Sequence, residues 1–586
     1  MASSPEQRKS YLVSKDFKGV NTKNNRTAIR DDEFSWLENA MPIGFGNVKI
    51  VASQENALNA TNVAITWANT VTHIADANIG LDDFVVAFQE DGSAEYYNVE
   101  TRATGTVAAA GTFSNVGIQT SQWENERMLI IDPVKGYFTW DGTNVVSVGS
   151  IATVNIISGG GGYVTAPNVT ISSTQETGGV NATAVATLVS NVVASITITN
   201  PGTGYINAAN VTVTIDASPT GNNASANVTI INQPGIAIQS FSGRVWIAQS
   251  RTVYYTAAGT YNDFTSVSAG SIVLTDATLH GEIQQLLSAN NFLYIFGDDS
   301  INVFSDVRVN TNGVTLFTNT NVSASVGSKL KNAIFPYFRS VLFMNNYGVY
   351  ALVGATTTKL SDPLDGVFTN IDFTRPVYAG QVLINNILCA AFNFYYTGTG
   401  PYSLGAPYND YITAIFFEKK WFFLRQGNDV PYIVSVPVEG ALRMYGSNGN
   451  NLIRYVSDPD ADIDSIIQTA LLPMGDPIRT KQATKIGVEA TVVTGTTFEI
   501  TVDSESGSSP AYTLTNTVTW FNVFGITIPW TNNLSNVIPW VSGPGYSLYK
   551  TDAQQFGKYL GMTLTSGDPG FTINTFEFEH ELRVRF

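Results

Sequence analysis

Alternating aspartates after residue 457 are the side chains of this chain whose spacing most resembles a cation site. Asp458, Asp460 and Asp462 are each separated by one residue, as are the carboxylates at positions 1, 3 and 5 of a calcium-binding loop. Such a loop also needs glycine at position 6 and glutamate at position 12, where this chain has Ile463 and Thr469. The segment therefore favours a solvated linker, with a divalent-cation site at the three aspartates as the alternative hypothesis.

The other reactive residue types give no catalytic pattern. His73, His280 and His580 are far apart, and no two of them have the spacing of metal ligands. Cys389 is the only cysteine, and its apolar neighbours predict a buried structural thiol. The acidic pair Asp298-Asp299 stands in a hairpin turn, where aspartate is common. We predict no catalytic residues, no enzymatic activity and no cofactor; a propeller glycosidase is the least favoured alternative.

Composition indicates an all-β protein. Hydrophobic residues make up 44% of the 586 residues, whereas charged residues make up only 13%, about half the usual share of about 25%. Asn, Thr, Ser and Gly must therefore supply the polar surface, and these residues suit strands and turns. The formal charge of −16 argues against general nucleic-acid binding. No apolar run approaches the roughly 18 residues of a membrane helix, and residues 1–7 lack the apolar core of a signal peptide.

A hairpin pattern recurs along the chain at intervals of about 50 residues. Apolar strands around Val245, Leu293, Leu342, Leu388 and Leu442 are each followed by a polar turn and a second apolar strand. Such a period is typical of propeller blades, each of which is a small sheet packed on its neighbours. Earlier strands fit the same period once residues 152–232 are set aside. The sequence therefore predicts a β-propeller of six or seven blades with an insertion.

The insertion contains a repeat of its own. Gly162-Tyr163 matches Gly204-Tyr205, and further matches in the same register place the two copies 42 residues apart. The composition, rich in Thr, Val, Asn and Gly, predicts a small β-sandwich or a pair of β-modules projecting from the propeller. Tyr163 and Tyr205 occupy matched positions, so they are the candidates for glycan or host contact, with a packing role as the alternative.

These patterns divide the chain into six segments. They are an N-terminal arm or docking segment (1–50), the first part of the propeller (51–151), the inserted duplicated β-module (152–232), the remainder of the propeller (233–456), an acidic linker (457–474) and a C-terminal β-sandwich (475–586). Within the arm, Asp31 or Asp32 is a candidate N-cap for a short helix over 29–40. The sandwich is predicted from apolar-polar alternation in its strands, including the last one.

The opening of the chain resembles that of many bacteriophage tail and connector proteins. Their usual form is an aromatic residue, Gly-Gly-hydrophobic-Asn, an acidic stretch and Ala-x-Asn; this chain has Asp16-Phe17-Lys18-Gly19-Val20-Asn21-Thr22, then Asp31-Asp32-Glu33 and Glu38-Asn39-Ala40. Gly160-Gly161-Gly162-Tyr163 is similar to modules inserted in many phage virion proteins. With the propeller hairpins and the closing sandwich, the chain resembles the tail nozzle of short-tailed phages, called tail tubular protein B or packaged-DNA stabilisation protein.

That resemblance implies a structural virion protein in the phage tail, made in the host cytoplasm. It implies a homo-oligomer, a hexameric ring docked on the tail adaptor, with side contacts to a tail fibre or spike. Genome DNA would be retained by the ring and would leave through its channel without sequence-specific binding, which suits the negative charge. A phage receptor-binding or lectin-like propeller that binds host surface glycan is the alternative; nozzles form hexamers, whereas receptor-binding fibres are usually trimers.

Overall fold

The protein is built almost entirely of β-strands. The computed structural model describes residues 9–44, 46–275, 279–401, 407–438, 440–493, 495–515 and 545–583, with short pieces between 517 and 541. Within those ranges the helical segments are one turn, α1 (Asp365–Phe368), and two 3-10 turns at Ala208–Asn210 and Asp362–Leu364. The all-β prediction is confirmed.

Six strands precede the first complete blade. They are β1 (Lys9–Ser14), β2 (Gly19–Val20), β3 (Glu33–Glu38), β4 (Ala40–Ile43), β5 (Asn47–Ile50) and β6 (Ser53–Asn56). The short helix predicted over 29–40 is wrong, because strand β3 occupies the middle half of that range. Phe34 and Trp36 are buried on either side of the more exposed Ser35, and this alternation of aromatic and polar residues suits a strand.

Two blades of the propeller come next, each a four-stranded antiparallel sheet. Their strands are β7 (Val71–Ile79), β8 (Asp82–Gln89), β9 (Ala94–Asn98) and β10 (Thr104–Ala108), then β11 (Gln119–Trp123), β12 (Arg127–Asp132), β13 (Gly136–Trp140) and β14 (Val145–Ser147). The insertion follows β14. Its strands are β15 (Ser150–Ser158), β16 (Asn168–Ile171), β17 (Thr183–Val189), β18 (Val192–Asn200), β19 (Val213–Ile215) and β20 (Ser225–Ile231).

Five further blades follow the insertion. Blade three consists of β21 (Ala237–Phe241), β22 (Arg244–Gln249), β23 (Thr252–Tyr255) and β24 (Gly270–Val273). Blade four consists of β25 (Ile283–Ala289), β26 (Phe292–Gly297), β27 (Ile301–Val309) and β28 (Thr315–Ser323). Blade five consists of β29 (Ile334–Tyr337), β30 (Ser340–Asn345), β31 (Gly348–Val353) and β32 (Thr356–Lys359). Blade six contains β33 (Tyr378–Ile384), β34 (Ile387–Tyr396), β35 (Asp410–Phe417) and β36 (Lys420–Leu424). Blade seven contains β37 (Tyr432–Val438), β38 (Ala441–Asn448) and β39 (Asn451–Asp458).

The blades form a closed ring of seven. The innermost strands β7, β11, β21, β25, β29, β33 and β37 each contact the next, and β37 returns to contact β7. Blade seven takes its fourth strand from the start of the chain, because β6 pairs with β39 and places Glu55 opposite Arg454. The ring is thus closed by pairing between a strand that precedes blade one in the sequence and the last strand of blade seven.

A β-sandwich is formed from both ends of the chain. Its C-terminal strands are β40 (Ser465–Thr469), β41 (Lys481–Val492), β42 (Thr497–Ser504), β43 (Gly507–Ser508), β44 (Tyr512–Thr515), β49 (Gly545–Gly557), β50 (Leu560–Ser566) and β51 (Thr572–Leu582). Between β44 and β49, β45 (Thr517–Val518) pairs with β48 (Trp540–Val541), and β46 (Trp530–Thr531) pairs with β47 (Val537–Ile538), as two separate sheets. One sheet has the order β4-β5-β51-β41-β49, with β1 also on β51. The other continues blade six as β36-β3-β40-β50-β42-β43, and the Phe498 ring of β42 meets the Tyr549 ring of β49 at 5.3 Å.

Two segment assignments need correction. Part of the acidic linker assigned to 457–474 is strand β40, in which Ile466 and Ile467 are fully buried between β3 and β50. The arm assigned to 1–50 contributes β1 to β5 to the two sheets of the sandwich. In both places the apolar residues are few but are buried in a sheet whose other strands come from distant parts of the sequence.

Aromatic residues pack neighbouring blades together, so truncating one of them should destabilise the ring. The buried Trp246 of blade three lies 5.0 Å from the Tyr255 ring and 5.7 Å from the Phe304 ring of blade four. We expect Trp246→Ala to lower the free energy of unfolding by about 3–5 kcal/mol, because a large cavity opens between blades. Urea unfolding followed by circular dichroism measures this, and Val267→Ala at a site 69% exposed is the control. Equal stabilities of the two variants would contradict the packing role.

Candidate functional sites

A polar channel runs along the axis of the propeller. All seven innermost strands contribute to the wall of a cavity of ≈ 440 Å³. Five polar side chains on this wall are amides, one from each of blades two to six: Gln119, Gln239, Gln285, Asn332 and Gln381. No sequence motif marks these residues, because a lone amide in each of several separate segments forms no recognisable pattern.

Hydrogen bonds connect several of these amides across blades. Gln285 Nε2 donates to Gln119 Oε1 at 2.9 Å, and Gln119 Nε2 donates to Asn332 Oδ1 at 2.9 Å. Gln381 Nε2 donates to the carbonyl oxygen of Pro336 at 2.6 Å. These amides already have protein partners, so this part of the wall is neutral and held in place. Such a channel can hold water and small polar molecules by hydrogen bonds.

Titratable groups from two blades also line the channel. Burial lowers the pKa of His73 to about 4, and its Nδ1 lies 2.7 Å from the Tyr378 hydroxyl. The surrounding protein raises the pKa of Asp76 to about 6, and the nearby Asp83 adds to the rise, although the Asp76 side chain stays open to channel water. Burial lowers the pKa of Lys331. At neutral pH the imidazole is therefore uncharged, whereas the Asp76 carboxyl is mostly ionised.

The raised pKa of Asp76 predicts a pH-dependent effect of removing its charge. Folding favours the protonated carboxyl, so this group contributes stability at low pH that is lost as the pH rises from about 4 through about 6. We expect Asp76→Asn, which cannot ionise, to have a higher Tm than the wild type near pH 8 and no such advantage near pH 4. Differential scanning calorimetry at the two pH values measures this. A variant less stable than the wild type at both would contradict it.

The repeat in the insertion forms one interlocked unit. Strand β15 of the first copy pairs with β20 of the second, and β18 of the second copy pairs with β17 of the first. Ser150 pairs with Ile231, and Val192 pairs with Val189. Val192 is the residue equivalent to Ser150 in the second copy, and Val189 is the residue equivalent to Ile231 in the first, so the same pairing occurs twice. Each copy therefore completes the sheet of the other, and the predicted pair of separate β-modules is corrected to a single module with exchanged strands.

Tyr163 and Tyr205 hold this exchange together. Their side chains are 1% and 0% exposed, so neither ring can stack on a sugar in this arrangement, and their assignment as glycan or host contacts is corrected to a packing role. The Tyr163 hydroxyl accepts the N–H of Ala224 at 2.9 Å, and the Tyr205 hydroxyl accepts the N–H of Ala182 at 2.8 Å. Each tyrosine thus bonds to the opposite copy.

The glycines before these tyrosines are also needed where the two copies meet. Gly160 and Gly202 have φ of 64° and 69°, and a Cβ on either would lie 2.4 Å from a carbonyl oxygen of the opposite copy. Only glycine suits both the left-handed backbone and this close approach. The repeated Gly-x-Gly-Tyr is therefore explained by the meeting of the two copies.

Removing either tyrosine hydroxyl should loosen the insertion. We expect Tyr163→Phe and Tyr205→Phe each to destabilise the module by about 1–3 kcal/mol, because a buried N–H loses its acceptor. Hydrogen–deuterium exchange should be faster in β15 to β20 of each variant. Tyr347→Phe, at a side chain 76% exposed, is the matched control. Unchanged exchange in the insertion of both variants would show that the hydroxyls do not hold the copies together.

The aspartates after residue 457 do not converge on a cation position. Asp458 Oδ1 accepts the N–H groups of Asp460 and Ala461 at 3.0 and 3.1 Å, which makes a turn at the end of β39. Asp460 and Asp462 are exposed. Over the ranges given above, which include this turn, no group of three or more His, Cys, Asp and Glu side chains could hold a metal ion. The cation-site hypothesis is therefore not supported.

The remaining singled-out residues lie apart from one another. Cys389 is buried in blade six, and burial raises the pKa of its thiol to about 12. His280 Nδ1 lies 3.2 Å from Asp299 Oδ2 on the surface of blade four. His580 is buried on β51 in the sandwich, where burial lowers its pKa. The structure thus places the three histidines at separate sites.

An exposed apolar surface lies on the outer face of the six-stranded sheet, and we call it the outer face. Its apolar side chains are 45–71% exposed and come from the two marginal strands β1 and β49: Tyr11, Val13, Tyr546, Leu548 and Phe556. Ion pairs lie between them, with Lys550 Nζ 2.5 Å from Glu577 Oε2 and Lys9 Nζ 2.6 Å from Glu579 Oε1. The outer face therefore has two small groups of exposed apolar side chains, separated by a charged strip, and exposed apolar groups of this kind are candidates for protein contacts.

The described residues include no helix that is long and apolar enough to cross a membrane.

No protein-family model matches the sequence, and no curated protein matches it. Among solved structures, BamB from Moraxella catarrhalis is 9% identical with a TM-score of 0.31, over 76% of this chain and 99% of that one. The C-terminal WD40 domain of Sif2 is 11% identical with a TM-score of 0.33, over 70% and 99%. Trypanosoma rangeli sialidase is 8% identical with a TM-score of 0.26, over 100% and 97%. Likenesses this weak carry no functional inference.

Proposed function

We propose that the protein is a structural subunit of a phage virion tail, the nozzle of a short-tailed phage. In this proposal six copies form a ring below the tail adaptor, retain the packaged genome and provide the channel for its ejection. The observation that carries the proposal is the position of the N-terminal motif on which the resemblance depends. Both halves of that motif lie at the junction between the propeller and the sandwich.

The first half of the motif packs blade six against the sandwich. Phe17 is buried 4.9 Å from the Phe34 ring and 5.5 Å from the Phe576 ring of the last strand. Gly19 has φ of 142°, and a Cβ there would lie 2.8 Å from the carbonyl oxygen of Trp421 in blade six. An aromatic residue followed by glycine is therefore what this junction requires.

The second half of the motif supplies buried polar groups to the same junction. Asn39 Nδ2 donates to the carbonyl oxygens of Arg425 and Asp464, at 3.1 and 2.8 Å, and its Oδ1 accepts the N–H of Arg425. Glu38 is 1% exposed and accepts hydrogen bonds from Trp36 Nε1 and the Tyr408 hydroxyl. Burial raises the pKa of this carboxyl, with the two hydrogen bonds opposing the rise. These residues fix how the propeller meets the sandwich, which suits a protein that bears load within an assembly.

The outer face provides a surface for assembly. A ring forms when one patch of a subunit binds a different patch of the next, and this face has apolar side chains at two opposite margins, on β1 and on β49. The formal charge of −16 would let DNA pass without being held. The adaptor and a fibre or spike are the other proposed partners, and no catalytic role is proposed. Burial of Tyr163 and Tyr205 leaves the receptor-binding alternative without its candidate contacts.

Light scattering and negative-stain imaging of the purified protein, alone and with its adaptor, test this function. We expect six-fold rings from the wild type and smaller species from Leu548→Asp and Phe556→Asp, because each places a charge in the apolar interface. Leu81→Asp, at a hairpin tip 94% exposed on blade one, should still form rings.

Rings that survive both outer-face variants would show that another surface assembles them. A wild type that stays monomeric or trimeric even with the adaptor would contradict the nozzle proposal.

A further inference from the structure

Three arginines surround a small cavity between blades seven and one. Arg443 lies on β38, Arg454 on β39 and Arg102 in the turn between β9 and β10. The cavity has a volume of ≈ 110 Å³. This is enough for several water molecules or one small ion.

The three arginines line the cavity together with two buried tyrosines. Tyr97 and Tyr445 are 4% and 2% exposed, their rings are 6.2 Å apart, and both line the cavity. Burial raises the pKa of Tyr97, and Arg102, Arg443 and Arg454 all oppose that rise. All three guanidinium groups are therefore within electrostatic reach of the Tyr97 hydroxyl. A buried aromatic floor also strengthens charge interactions above it by excluding water.

The positive charge of the cavity is only partly neutralised. Arg454 Nη1 lies 3.1 Å from Glu55 Oε1, which is the one ion pair that the structure gives for these three arginines within the ranges it describes. Arg102 Nη1 donates to the amide oxygen of Asn62 at 3.5 Å, and Arg443 interacts with the Tyr445 hydroxyl. Three like charges around so small a cavity are unusual in a chain with 31 basic and 47 acidic residues.

We propose that this cavity binds a phosphate-class oxyanion, through Arg102, Arg443 and Arg454. The planar guanidinium group presents paired N–H donors that match the oxygens of phosphate or sulfate, and it remains charged at all physiological pH values. Three guanidinium groups from three separate segments can satisfy the several oxygens of a tetrahedral dianion better than the two oxygens of a planar carboxylate. Blade seven contributes Arg443 and Arg454, and blade one contributes Arg102. A bound anion would therefore also link the last blade of the ring to the first. The proposal does not depend on the nozzle function.

Isothermal titration calorimetry with inorganic phosphate tests the site on the full-length protein, with sulfate and acetate as further titrants and chloride to fix the ionic strength. We expect one phosphate per chain, similar binding of sulfate and weaker binding of acetate. Arg443→Gln should weaken phosphate binding by at least about tenfold, since it removes a charge-assisted hydrogen bond. Arg102→Gln, in an exposed turn, should also weaken it. Arg308→Gln, an exposed arginine of blade four paired with Asp306, should not.

Binding that is absent in the wild type, or that persists unchanged in both Arg443→Gln and Arg102→Gln, would overturn the proposal. Acetate bound as tightly as phosphate would overturn the assignment to a tetrahedral anion. Circular dichroism of each variant checks that it is folded, and the exposed Arg102 keeps the test valid if Arg443→Gln is not.

Discussion

The pairing of Ser53–Asn56 with Asn451–Asp458 is the constraint on which the rest of the structure depends. Six blades are each continuous in sequence, but the seventh is completed only when a strand from the start of the chain pairs with its outermost C-terminal strand. Without that pairing, blades seven and one would expose the apolar surfaces that now meet, including Val85 and Val436. The channel and the arginine cavity both need the closed ring, since blades one and seven each contribute to their walls.

The same N-terminal segment also joins the propeller to the sandwich. Three strands before the closing strand, Glu33–Glu38 lies between blade six and Ser465–Thr469, so one sheet runs from the propeller into the sandwich. Closing the ring and attaching the sandwich are therefore achieved within about two dozen residues of chain. Substitutions in this stretch affect both parts of the molecule, because its strands pair with residues several hundred positions away.

The sequence predicted the elements with strong local patterns and missed those defined by distant partners. The blades were predictable because apolar hairpins recur at a near-constant interval, and the blade count stayed between six and seven because Ser53–Asn56 contains no apolar residue. Asp31 and Asp32 suggested a helix cap, yet the aromatic alternation of Phe34 and Trp36 makes Glu33–Glu38 a strand. Repeated tyrosines marked a real duplication, but repetition alone does not distinguish a buried bond from a binding surface. The channel amides and the arginine cavity depend on residues brought together only by folding.

The exchanged strands of the insertion have a consequence for how such a module can arise and change. A single 42-residue copy cannot complete its own sheet, since its first and last strands pair with those of the other copy. A chain with one copy would need a second molecule to complete the sheet, whereas the duplicated chain supplies the partner within one molecule, at a far higher effective concentration. The two copies are therefore needed together, and a substitution on one side of the contact between them requires a compensating substitution on the other side.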